Sequence, residues 1–381
     1  MRILIAPNAF KNSLDAVAVA KATGKGLAES KLDCELEYFP IGDGGDGTAS
    51  LIIQKQNGNI INVDAHDALG RKINSSFGLI DDNKTAVIEL ANASGIRLLQ
   101  QNEMAPLHTT TFGTGELIKH ALDKNISKII LCIGGSATVD GGTGILQALG
   151  IKFLNEQKKV LKDLPTDLKD LSSIDISGFD KRILDCELII LCDVENKLLG
   201  ENGAAKIFGP QKGASEKNVT ALENALAKFR DVTLNLTGMD MAIIKHGGAA
   251  GGVAASLNVY YNAKLVNGID YFLSVTSFDT SLQKADIVIT GEGKIDEQTL
   301  SGKGPFGVAK KAKEKNLFVI GVAGSVPLKI NAQLQQYFDV LISINNDVAD
   351  IDTAILYTEA NLIRTGKMIG DLLQGYVAIK T

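Results

Sequence analysis

Seven short apolar runs, rich in β-branched residues and each stopped by Gly, Asp or Pro, set the terms for this chain: residues 3–6, 36–40, 129–133, 188–192, 287–290, 319–322 and 340–344. A strand wetted on one face alternates apolar with polar residues, whereas a strand covered on both faces reads as a continuous apolar run. Helical patterns follow most of these runs, at 14–30, 47–56, 114–125, 141–149, 216–230, 251–257 and 305–315. Strand then helix, repeated, predicts an α/β fold on parallel sheets.

The rhythm breaks once. Residues 60–64, 72–79 and 85–90 alternate around turn signals at Gly70 and at Asp81-Asp82-Asn83, which predicts an antiparallel meander. The chain's 381 residues exceed a single core of roughly 100–200 residues. Two domains are therefore expected: one built from both chain ends, 1–60 and 275–381, and an inserted one, 61–274, with mixed strands. The Lys/Asp/Ser-rich stretch 155–180 reads as a surface excursion with solvated charges.

Composition narrows the partners. Hydrophobic residues at 45% and charged residues at 22% fit a globular protein. A net charge of −5 leaves no broad basic surface for a nucleic-acid backbone or anionic lipid. The apolar runs fall far short of the roughly 20 residues a membrane-spanning helix needs. The first of them stops at Pro7, so no secretion signal is read there. Cys34, Cys132, Cys186 and Cys192 lie in or beside apolar runs without CxxC spacing. They read as buried thiols of a cytoplasmic protein. A homo-oligomer is left open.

In an open parallel sheet, ligands collect beyond the carboxyl ends of the strands. Here those ends lead into Pro7-Asn8-Ala9-Phe10-Lys11-Asn12-Ser13, Gly42-Asp43-Gly44-Gly45-Asp46-Gly47-Thr48, Gly134-Gly135-Ser136-Ala137-Thr138-Val139-Asp140, Asp193-Val194-Glu195-Asn196 and Gly291-Glu292-Gly293-Lys294-Ile295-Asp296. Glycine lets backbone N–H groups approach an anion, and helix N-termini add aligned donors. Asp in such loops offers oxygen to Mg²⁺ or a base to a hydroxyl, and Lys11, Lys212 and Lys294 can offset phosphoryl charge. Any one of these turns is more often just a tight turn with a capping Asp. Five of them at successive strand ends point to one site for a small phosphorylated ligand. Neither GxxxxGK[ST] nor a GxGxxG after the first strand is present, and His66, His108, His120 and His246 are too few and scattered for a triad or metal cluster. Carboxylates and backbone amides are left to carry the chemistry.

Taken together, residues 6–13, 43–48, 134–138, 192–194, 208–215 and 290–296, with Gly302-Lys303, resemble the bacterial type-1 glycerate kinase family. The resemblance implies transfer of the ATP γ-phosphoryl group to D-glycerate with Mg²⁺, giving 2-phosphoglycerate in preference to 3-phosphoglycerate. It also implies a flavodoxin-like or Rossmann-like parallel-sheet domain, an inserted α/β domain, and a site in the cleft between them. Lys197, Lys245-His246 and Asp46 stand where the family usually has Pro, a small pair and Glu.

For that reaction Asp193 is the expected base, and Asp43 and Asp46 the expected Mg²⁺ ligands. Lys11 and Lys294 are expected at the phosphoryl group. Ser13, Gly44, Gly45, Gly134, Gly135, Ser136, Thr138, Gly291 and Glu292 are expected around the substrates, with Arg71 or Lys212 for the glycerate carboxylate. A kinase of a related hydroxy acid, a phosphatase and a non-catalytic sugar-acid sensor are the alternatives. The retained set Asp43, Asp46, Asp140, Asp193 and Asp296 favours an enzyme.

Overall fold

Each of the seven apolar runs forms a strand, the inner ones buried on both faces and those at 36–40 and 340–344 only partly buried at the sheet edges. The computed structural model describes residues 1–346 and 350–380. Its strands are β1 (Arg2–Ile5), β2 (Glu35–Tyr38), β3 (Asn59–His66), β4 (Lys72–Ile80), β5 (Thr85–Glu89), β6 (Lys128–Cys132), β7 (Lys152–Leu154), β8 (Ser173–Asp175), β9 (Glu187–Cys192), β10 (Lys264–Asn267), β11 (Ile287–Lys294), β12 (Phe318–Ser325) and β13 (Val340–Ser343). One sheet has the order β13-β12-β11-β1-β2, with every pair parallel. Pairing of Ile3 with Ile287 and of Ile5 with Ile289 joins the two ends of the chain.

The second sheet has the order β10-β9-β6-β5-β4-β3. Its β3-β4 and β4-β5 pairs are antiparallel and its β5-β6, β6-β9 and β9-β10 pairs parallel, so the meander is grafted onto a parallel half. The chain divides into one unit of Met1–Asp43 with Ile269–Thr381 and another of Gly44–Gly268. The first division therefore falls earlier than residue 60, because the helix Thr48–Lys55 packs on β4 and β5. Ile3, Val19, Leu27, Ile289 and Leu362 are buried in the first unit's core. Phe77, Ile88, Leu131, Ile190 and Phe229 are buried in the second's.

Two elements escaped the periodicity argument. The stretch 155–180 is more than solvated surface: it contains β8, paired antiparallel with β7, and it buries Leu161, Leu164, Leu168 and Leu171. The helix Thr358–Lys380 packs along the helix Ala16–Ala28. Glycines interrupt its apolar pattern because two backbones meet there. A Cβ on Gly26 would collide with the carbonyl oxygen of Ile363, and one on Gly366 with that of Thr23. Among the described residues, no helix is long and apolar enough to cross a membrane.

A side chain cannot enter that crossing without separating the helices. Gly26→Val is expected to lower the unfolding free energy by about 1–3 kcal/mol, read as an earlier urea midpoint. An unchanged midpoint would contradict the close crossing.

Candidate active site

In the first unit the site begins where β1 gives way to the loop after Pro7. The Asn8 amide donates to the Gly291 carbonyl on β11 (2.8 Å), which carries the strand pairing past the end of β1. The Asn8 side chain then donates to Asp43 Oδ2 (2.8 Å) while its own Oδ1 accepts from the Ala9 amide (2.8 Å). Asp43, half-buried, is thus held by a residue of the neighbouring strand-end loop. The helix Gly304–Glu314 starts beside them, for a Cβ on Gly304 would stand 2.9 Å from Asn8 Nδ2. Its N-terminus brings partial positive charge to this corner.

Glu292 lies near the end of β11, buried, with the Thr299 hydroxyl donating to Oε1 (3.1 Å). Burial is the main cause that pushes its carboxyl up to about 7. Lys303, Thr299 and Lys11 oppose that rise, and the charge of Asp43 adds to it. Lys11 itself is exposed. The other expected residues here are engaged elsewhere. Lys294 is exposed and paired with Asp296 (2.8 Å), and Ser13 Oγ donates to the Ile355 carbonyl (3.0 Å). Gly291 serves strand pairing, since a Cβ there would collide with the Val322 carbonyl oxygen on β12.

The second unit assembles its cluster at the ends of β5, β6 and β9. The Gly134 amide donates to the Gly44 carbonyl (2.9 Å), and a Cβ on Gly134 would collide with the Cα of Gly45. A Cβ on Gly135, whose φ is +70°, would run into the Asp46 carboxylate. Glu89, at the end of β5, accepts from the amides of Gly47 (2.9 Å) and Ala49 (3.1 Å) at the start of the helix Thr48–Lys55. Its burial raises the carboxyl's pKa against those two amides and Arg97. Asp140 is fully buried and accepts from the amides of Thr111 (2.8 Å), Gly142 (3.0 Å) and Gly144 (3.2 Å) and from the Thr111 hydroxyl (2.7 Å). It organises the start of the helix Thr143–Ala148, with both oxygens engaged inside the protein.

Lys212 is buried beneath the loop after β6. Its Nζ donates to Ser136 Oγ (2.7 Å) and to the Thr138 carbonyl (2.7 Å). Burial brings the ammonium down to about 7, opposed by the charge of Asp140. The Thr138 hydroxyl is buried with no hydrogen-bond partner. Asp193 follows β9, half-buried. Its loop is braced by His246 Nδ1 against the Val194 carbonyl (2.6 Å) and by the Lys245–Glu195 ion pair (2.7 Å). Arg71 does not join this group: it pairs with Asp67 and Glu103 (2.6 Å each), and its side chain is 47% exposed.

Sequence reasoning quoted Asn8 and Lys303 within its motifs but gave them no role, and it passed over Glu89 and Thr299. Glu89 carried a visible signal, a lone carboxylate closing an apolar strand. Among the described residues, no three His, Cys, Asp or Glu side chains converge as a ready-made metal cage. A Mg²⁺ needs only one or two carboxylates, with phosphates and water for its remaining oxygens, and the chemistry of either Asp43 or Asp46 suits it.

Comparison with known proteins supplies the family. The model of the glycerate kinase family matches residues 3–374. A glycerate kinase of Bacillus subtilis is 41% identical over 97% of both chains. A glycerate 2-kinase of Escherichia coli is 40% identical over 98% of both. A crystal structure of a putative glycerate kinase 2 from Salmonella typhimurium shares 38% identity, covers 99% of both chains and superposes with a TM-score of 0.82. With these relatives, the α/β fold is that of a phosphotransferase with an alcohol as acceptor. The chain belongs to the glycerate kinase family.

Glu292 yields a pH test. Its folded pKa of about 7 lies above the ordinary value of 4.5, so the fold binds its proton more tightly than the unfolded chain does. That contribution is fully present below about 4.5 and is lost as pH rises to about 7. Glu292→Gln is expected to match the parent in urea unfolding at pH 4.5 and to exceed it by about 1–3 kcal/mol at pH 8. Equal gains at both pH values would contradict a buried, titrating Glu292.

Proposed function

We propose that the chain transfers the γ-phosphoryl group of ATP to the 2-hydroxyl of D-glycerate, forming 2-phosphoglycerate in the cytoplasm with Mg²⁺. The end-to-end likeness to a glycerate 2-kinase carries this reading. The carboxylates and lysines at the strand ends supply the groups such a transfer needs.

Phosphoryl transfer asks mainly for positioning and charge stabilisation. In this proposal Asp193 accepts the proton of the attacking hydroxyl as the oxygen bonds to phosphorus and the bond to the leaving phosphate breaks. Lys11 draws charge from the transferring group, and Lys294 joins it by exchanging Asp296 for phosphate. The loop 134–138 holds an anionic group with its amides and with Ser136 and Thr138, while Gly44 and Gly45 keep their backbone close to it. Asp43 and Asp46 would hold Mg²⁺, directly or through water, and the ion when bound neutralises phosphate charge. Arg71 is given no part here, since two carboxylates, Asp67 and Glu103, already hold it.

An ADP-release assay across D-glycerate, glycolate, lactate and tartronate, with the product's phosphate located, tests the reading. Turnover concentrated on D-glycerate with phosphate at O2 is the expected result. Phosphate at O3, or preference for another acid, overturns the finer assignment. Silence with all four revives the sensor. Asp193→Asn is expected to lower kcat by about 10²- to 10⁴-fold with unaltered melting, and near-normal turnover would remove Asp193 as base.

A further inference from the structure

Lys212 poses a physical problem, and the proposed reaction gives it no role. It is 4% exposed and its two hydrogen bonds go to neutral oxygens, so no ion pair among the described residues offsets its desolvation. Burying a lone ammonium is costly. What it touches gives the reason to keep it. Ser136 Oγ accepts from the lysine, and no acceptor for that hydroxyl's own proton stands among the described residues. The loop's backbone is pinned on both sides, because the Gly135 carbonyl accepts from the Ile96 amide (2.8 Å) and the Ala137 amide donates to the Ser94 carbonyl (2.9 Å). The amides of Gly135 and Ser136 donate to nothing described, and the buried Thr138 hydroxyl lacks any partner.

We infer that Lys212 is a positioning residue for anion recognition: from behind the loop it polarises Ser136, which donates its hydroxyl proton, beside the Gly135 and Ser136 amides, to an oxyanion of the substrate. This rests on the kinase reading, whose two substrates both carry oxyanions, the carboxylate of the hydroxy acid and the phosphates of the nucleotide. A hydroxyl that accepts from a cation becomes a stronger donor, and the effect is largest where water is excluded. Three charges set the balance at this loop. Lys212 stands behind it, Asp46 lies over Gly135, and Asp140 acts on the lysine through space. With the lysine charged the loop attracts an anion; with it neutral, Asp46 and Asp140 repel one. Since the ammonium titrates near 7, affinity for that anion is full in mild acid and fades as pH rises.

The experiment measures KM for D-glycerate and for ATP separately at pH 6.5 and 8.5, in the parent and in Lys212→Met, Ser136→Ala and Ser136→Thr. In the parent, KM for one of the two substrates is expected to rise about tenfold between the two pH values. Lys212→Met and Ser136→Ala are expected to raise that same KM by about tenfold or more at pH 6.5 and to flatten its pH dependence, with kcat changed far less. Ser136→Thr, which keeps the hydroxyl, is expected to restore both. Movement of the glycerate KM identifies the anion as the carboxylate, and movement of the ATP KM identifies it as a phosphate. Parent-like KM values and pH profiles in Ser136→Ala overturn the inference, as does a pH-dependent KM that survives Lys212→Met. If Lys212→Met fails to fold, the two Ser136 variants decide the matter alone. Absence of parent turnover with glycerate strikes the kinase reading instead. Calorimetric titration of D-glycerate and ATP at the same two pH values then makes the same comparison on binding.

Discussion

The Gly134 amide reaches the Gly44 carbonyl because no side chain stands at the crossing. Gly44 adopts a φ of +98° with the Leu191 carbonyl close behind it, so a Cβ there would be strained as well as crowded. This one backbone approach lays the segment after Asp43 across the ends of β6 and β9. Two further placements go with it. Asp46 comes to lie over Gly135, and Gly47 turns the chain into the helix Thr48–Lys55 within reach of Glu89. Glycine contributes to this site mainly by letting loops touch.

Such loops need fixing by something other than apolar packing, and the second unit fixes them with buried charge. Asp140 gathers four donors and Glu89 two amides. Lys212 donates to a hydroxyl and a carbonyl. Of these three, only Glu89 has an opposite charge within ion-pair range among the described residues, Arg97 at 3.8 Å. Removing a charge from water costs more than a few hydrogen bonds return, so these groups are poor stabilisers of the fold. What they supply is direction: each ties a loop or a helix start to one geometry that neutral side chains would leave loose. Sites that must hold a transferring phosphoryl group in line gain more from that geometry than they lose in stability.

Much of this architecture was legible in the residues. Runs such as 129–133 and 188–192 have no polar alternation because both faces are covered, and that alone called for a parallel sheet. The loops were legible because Gly and Asp cluster where strands end. The distinction among the Asp residues was not. Asp140 and Asp193 look alike as Asp beside glycine or a strand, yet four donors in space commit Asp140 to structure. Arg71 has the charge to bind a carboxylate, but Asp67 and Glu103 hold it. Glu89 matters only through Gly47 and Ala49, some forty positions away. The helix Thr358–Lys380 was obscured by the glycines that let it pack. Pairings in space decided each of these, and local periodicity cannot report them.

Lys11 and Lys212 show why position matters more than residue type. Lys11 is exposed, so water and salt screen its charge and its flexible side chain can follow a moving phosphate. Lys212 is enclosed; its field is screened far less, but its proton is held weakly for the same reason. Burial acts on Glu292 with the opposite sign of charge and brings it to a similar value, where Lys303 and Lys11 partly compensate. A charge that meets a ligand from the solvent side is constant and diluted by water. One lodged behind a loop, as Lys212 is, is strong and reversible near neutral pH. A cation behind Ser136 can therefore make recognition of an anion conditional on its own protonation.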